Sequence, residues 1–153
     1  HPARLEGGER DRSGESVIDV LGMDWTLSSF AGPQESRGFL LWRAFMVWQR
    51  GLNARLKPLG LTQPQFAILA VCGWVTREGQ KATQQDIVSF LGLDRMHVSQ
   101  IAMRLERDGL IERRASQVDL RSKLVSLTPM GSERLTRAMP VVEAYDRDFF
   151  AVV

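Results

Sequence analysis

At 153 residues, 44% of them hydrophobic, the chain is long enough for one compact domain with its own core, or for one domain with long appendages. A net charge of +2 proves no partner. One cysteine excludes an internal disulfide framework and fits a reducing cytosol, and no apolar run is long enough to span a bilayer, so no membrane partner is expected.

The distribution of charge says more than its total. Residues 1–36 hold three arginines and seven acids, a net of −4, which leaves +6 for the remainder. From Arg95 to Lys123 seven basic residues stand against four acids. A basic stretch on a nearly neutral chain suits phosphates; a solvated, salt-bridged surface is the alternative reading.

In chain order, residues 1–35 form an N-terminal extension. Its first sixteen, HPARLEGGERDRSGES, are polar, are expected to be disordered, and lack the apolar segment of a secretory signal. His1 and its neighbours fit a tag scar or a processed end. Residues 17–30 are apolar enough for a short helix, broken by Ala31-Gly32-Pro33. A helix is predicted from Ser36 to Lys57, within a segment 36–60 that Pro58 and Gly60 close. Its apolar residues cover more than one stripe, so a dimer partner is expected to cover the second face.

The segment 61–128 carries the decisive pattern. Thr62 with Gln65 predicts a capping box, followed by Phe66, Leu69, Ala70 and Gly73 at helical spacing. Residues 75–82 read as a polar loop. Thr83 caps the next helix, with Ile87, Val88, Phe90 and Leu91 expected toward the core, and Leu91-Gly92-Leu93 makes a sharp turn. Asp94 then caps a helix over 95–108, buried along Val98, Ile101, Ala102 and Leu105. Its other side carries Met96, His97, Ser99, Gln100, Met103, Arg104 and Arg107, the mixture of donors, acceptors and apolar groups that reads base edges in a major groove. An ordinary amphipathic helix with a wet face remains the alternative for this helix alone.

Gly109 closes that helix. LIERRA (110–115) and KLVSLT (123–128) predict a hairpin whose tip, SQVDLRS, bears Arg121 beside Arg113, Arg114 and Lys123. Arg121 is placed to enter a minor groove, with Asp119 near enough to orient its guanidinium. Helix, turn, helix and basic hairpin in strict succession are the plan of a winged helix-turn-helix. The fold class is therefore mainly α (α+β). Thr128 and Pro129 start a last helix over 129–153, with a seam of Leu135, Met139, Val142, Phe149 and Val153, a kink at Pro140 and an interruption at Asp146. The chain ends at FFAVV inside an apolar run, so this helix is expected to be either truncated or unusually short.

The order resembles the MarR family of bacterial transcription regulators. DLRSKLVSLTPMG (119–131) resembles that family's wing signature, RLERDGLIERR (104–114) its exit from the recognition helix, and LTQPQFAILAVC (61–72) its second helix. The resemblance spans about residues 36–150. It implies a cytoplasmic homodimer, built by N- and C-terminal helices, that binds operator DNA, usually as a repressor, and is often released by a small phenolic or aromatic acid. Carried over, the DNA-binding residues are Arg95, Met96, His97, Ser99, Gln100 and Arg104 of the recognition helix, and Asp119, Arg121 and Lys123 of a wing over 113–123.

Trp42, Phe45, Trp48 and Trp74 are candidates for the wall of an effector pocket, though aromatics at helical spacing are also ordinary core. Cys72 raises a thiol-based redox sensor as an alternative, set against an inert buried thiol. A winged helix used only as a protein-interaction module is a further alternative. Two His and one Cys, far apart, do not make a zinc site. No phosphate loop, paired carboxylates or Ser-His-Asp order is present, so no cofactor and no catalysis are expected.

Overall fold

The structure, a computed structural model, describes residues 22–119 and 121–151. The expected disorder of residues 1–16, the first part of the helix expected over 17–30, and Val153 lie outside the described residues. The chain divides into two compact units, His1–Ala44 and Phe45–Val153.

In the first unit, residues 22–36 correct one expectation. No α-helix forms there; Trp25–Leu27 is a single 3-10 turn. The Asp24 carboxylate accepts from Thr26 N at 3.0 Å and from Thr26 Oγ1 at 2.7 Å, which satisfies the turn, and Ser28 is already extended. A second 3-10 turn, Pro33–Glu35, leads into α1, Arg37–Leu56. A third, Lys57–Leu59, ends at Gly60, whose φ of 71° is the left-handed conformation that glycine adopts without strain.

The second unit has an elementary logic. Capping boxes start both α2 (Gln63–Thr76), at Thr62 and Gln65, and α3 (Gln84–Leu91), at Thr83 and Asp86. Gly92, with φ 69°, reverses the chain. Asp94 then caps α4 (Arg95–Arg107) by accepting from His97 N at 2.8 Å. Strands β2 (Ile111–Ala115) and β3 (Lys123–Leu127) pair antiparallel, with Arg113 opposite Val125. α5 (Pro129–Phe150) runs on through Pro140.

Two details differ from expectation. The loop expected over 75–82 is shorter: α2 continues to Thr76, and Ala82–Thr83 form a strand, β1, so the sheet order is β1-β3-β2. Two residues have too little length to show a strand period. Phe90, expected inside, is exposed; eight-residue α3 presents Ile87 to the core, with Val88 and Leu91 half-buried beside it.

One core joins these elements. Leu52 and Leu56 of α1, Ile68, Leu69 and Cys72 of α2, Ile87, and the α4 stripe Val98–Ala102–Leu105 meet Leu110, Ile111, Val125, Ala138 and Val142. Ile101 lies at the edge of this stripe, half-buried. Full burial of each larger aliphatic chain contributes about 1.5–3 kcal/mol.

The junction after the hairpin is tightly built. Thr128 Oγ1 donates to Gly109 O at 2.6 Å and accepts from Gly131 N at 3.0 Å, tying the exits of α4 and β3 together. Gly131 lies against the backbone of Leu110, where a Cβ would overlap the carbonyl oxygen. Gly131→Ala should therefore destabilise the protein by about 1–3 kcal/mol, read as a lower urea midpoint with unchanged slope.

Candidate nucleic-acid interface

The buried stripe of α4 fixes the helix's rotation and leaves its remaining surface outward. Arg95, Met96, His97, Gln100, Met103 and Arg104 are exposed, Met96 to 70%, and Ser99 is half-buried. Arg95 Nε donates to Gln85 Oε1 at 3.1 Å, so an exposed residue of α3 steadies the first residue of α4. Arg104 pairs with Asp108 at 3.3 Å across one turn. The N-terminal end of α4 adds partly positive backbone N–H groups to this surface.

The hairpin tip organises itself. Ser116, buried, accepts through Oγ from Val118 N at 3.2 Å and from Asp119 N at 3.3 Å. Asp119 accepts from Arg121 N at 3.0 Å and from Ser122 Oγ at 3.3 Å. The Asp119 carboxylate thus holds the backbone of the tip, in place of the Arg121 guanidinium that sequence spacing led us to expect. Arg121 and Lys123 are exposed.

Arg113 does not belong to the exposed basic tip. Its side chain is only 7% exposed. Its Nε and Nη2 donate to Glu106 Oε1 at 3.3 and 3.0 Å, its backbone N donates to Glu106 Oε2 at 3.2 Å, and its Nη1 donates to Gln84 Oε1 at 3.2 Å. One guanidinium therefore fastens β2 to the end of α4 and to the start of α3. Arg113 hydrogen bonds hold the Glu106 carboxyl below its ordinary range. Sequence reasoning missed Gln84, Gln85, Glu106, Ser116 and Ser122. The usable signal for Arg113 was strand alternation, which puts it on the same side as buried Ile111.

Of the candidate aromatics in the second unit, Phe45 and Trp48 do not line the hollow that Trp74 lines. Trp42 is exposed on α1. Phe45 and Trp48 pack together with ring centroids 5.9 Å apart, and Trp48 Nε1 donates to Asp146 Oδ1 at 2.8 Å. Trp74 sits under the Arg77 guanidinium, 3.5 Å from its ring centroid, and lines a hollow of about 540 Å³ with Gly73, Leu127, Leu135 and Met139. Asp146, expected to interrupt a seam, is the acceptor that holds an indole. Cys72 is fully buried, and burial pushes its thiol up to about 11. A thiolate sensor needs the opposite environment.

These elements define a winged helix-turn-helix: α3, the Gly92 turn, α4 and the β2–β3 wing, with β1 completing the sheet. The MarR family model matches residues 61–123. The chain is 42% identical over 129 residues to an uncharacterized HTH-type transcriptional regulator, YdcH, of Bacillus subtilis (strain 168), covering 84% of this chain and 87% of that one. It is 30% identical over 109 residues to the HTH-type transcriptional repressor Mb2911 of Mycobacterium bovis, covering 71% and 76%. Its fold matches the M. tuberculosis transcriptional regulator MOSR, solved in complex with DNA, with TM-score 0.68, 26% identity, and coverage of 77% of this chain and 83% of that one. The chain belongs to the MarR family of transcriptional regulators, which are not enzymes. Among the described residues, no helix is long and apolar enough to cross a membrane.

Glu106, with its lowered pKa, should stabilise the folded state fully above the ordinary glutamate range and lose that contribution as pH falls through its own lower value. Replacing it tests the joint: Glu106→Gln should cost about 0.5–1 kcal/mol near neutrality, the gap should close in acid, and amide exchange in β2 should quicken. For Cys72, a thiol-specific reagent should react slowly with native protein and at once after unfolding.

Proposed function

We propose that this chain is a sequence-specific double-stranded DNA-binding repressor that acts as a homodimer. In this reading α4 enters the major groove with Arg95, Met96, His97, Ser99, Gln100 and Arg104, and the wing lies at the minor groove with Arg121 and Lys123. Asp119 shapes the wing's backbone. Residues 61–128 are the DNA-binding lobe; 36–60 and 129–153 are the dimer-forming segments. The observation that carries the reading is the exposed polar face of α4 joined to an exposed, internally braced basic tip by the buried Arg113 side chain, which pairs with the exposed Glu106. The Mycobacterium bovis relative's name, a repressor, and MOSR's solution with DNA support it.

Exposed apolar side chains on α1, among them Leu40, Leu41, Trp42 and Val47, support dimerisation through that helix. For the effector, Trp74 above Leu127, Leu135 and Met139 favours a flat aromatic ligand, with Arg77 beside it for an acidic group. Trp42, Phe45 and Trp48 would contribute only where the dimer brings them near. A redox switch through Cys72 is disfavoured by its burial. A module that binds only proteins leaves the basic wing without a role.

The experiment is an electrophoretic shift with the DNA upstream of the protein's own gene. Arg121→Ala should weaken binding to all duplexes by roughly tenfold, and Gln100→Ala should change the preference among sites by about 1–3 kcal/mol. Unchanged affinity and preference in both variants would overturn the assigned surface.

A further inference from the structure

Residues 22–36 form a strap with a defined shape and an open apolar surface. Its bonds are local: besides the Asp24 turn, Ala31 N donates to Glu35 Oε2 at 2.8 Å, and Phe39 N donates to Ser36 Oγ at 3.2 Å. None of them covers the large side chains. Trp25 is 71% exposed and Leu27 78%, with Met23 and Phe30 also open. Trp25, Phe30, Pro33 and Phe39 wall a hollow of about 520 Å³. The first turns of α1 are equally bare, with Leu41 72% and Trp42 61% exposed. Apolar patches larger than roughly a few hundred Å² on a soluble chain mark an interaction surface.

Charge selects the occupant. Residues 1–36 carry a net of −4, and the strap itself holds Asp24 and Glu35 with no basic residue. α1 carries Arg37, Arg43, Arg50 and Arg55 and no acid. An apolar acidic strap therefore complements the apolar basic start of α1. In the single chain both surfaces stay open, so the chain's own α1 leaves the match unmade. A second copy supplies it, and twofold symmetry lets each strap meet the other copy's helix.

We infer that in the dimer the strap of each protomer packs across the start of the partner's α1, setting Trp25, Leu27 and Phe30 against the partner's Leu41 and Trp42, with Asp24 and Glu35 near the partner's Arg37 and Arg43. This inference rests on the homodimer reading above and adds to it a contact from the strap, which precedes the two dimer-forming segments.

The test uses the full chain in a Cys72→Ser background. One copy carries Trp25→Cys or Leu27→Cys; the other, distinguished by mass, carries Leu41→Cys or Trp42→Cys. Oxidation of the mixed dimer should give a disulfide between the two copies. No disulfide, or one that forms only when both cysteines share a chain, overturns the inference. Independently, the double variant Trp25→Asp, Leu27→Asp should weaken dimerisation by about tenfold or more in sedimentation at graded concentrations. An unchanged constant overturns the strap contact while the dimer stands; a parent chain monomeric throughout rejects the dimer and the strap together. Binding of an anilinonaphthalene sulfonate probe to the parent dimer, abolished by Trp25→Asp, would assign the hollow to small molecules and also overturn the inference.

Discussion

The burial of Val98, Ala102 and Leu105 is the constraint from which the rest follows. These three residues, each at 0% exposure, fix the rotation of α4 about its own axis. Turning the helix to bury Gln100 or Arg104 would expose aliphatic surface and desolvate polar groups with no partner, at a cost of several kcal/mol. The outward chemistry of α4 is thus set from inside. Asp94 fixes where the helix begins, and Gly92 fixes how abruptly the chain arrives there.

The wing depends on the same core through one buried guanidinium. Ile111 and Val125 anchor the hairpin's base, and Arg113, opposite Val125, reaches Glu106 and Gln84. An arginine here resists the usual weakness of surface ion pairs, because its own side chain is buried and several of its donors are engaged. The tip is left to Ser116, Asp119 and Ser122, whose hydrogen bonds are all short-range. Arg121 and Lys123 are consequently displayed on a tip with defined shape rather than on a loose loop, which lowers the ordering cost of any contact they make.

The sequence was legible wherever a period or a cap governs the backbone. Thr62, Thr83, Asp94 and Thr128 each cap the helix assigned to them, and Gly92 makes the expected turn. It was illegible where the deciding partner is distant in the chain. Arg113 and Arg114 look alike in sequence, yet one is buried on Glu106 and the other is exposed beside Glu112. Asp146 looked like a flaw in a seam because its partner, Trp48, lies on another helix. Gly131 was recognisable as part of a family signature; its reason, the close approach of Leu110, needed the fold. Gly51 is similar: it leaves room for Tyr145, whose hydroxyl donates to Trp48 O. At 22–30 composition misled, since apolar residues there serve exposed surface rather than a helix face.

The central claim is that the outer face of α4 and the wing tip form one DNA-contacting surface. Titration of isotopically labelled protein with an upstream-promoter duplex, followed by nuclear magnetic resonance, tests it most directly. Shifts concentrated at Arg95–Arg104 and at Asp119–Lys123, fading together as salt is raised, are the predicted result. Shifts confined to other faces, or at α4 without the wing, would contradict it.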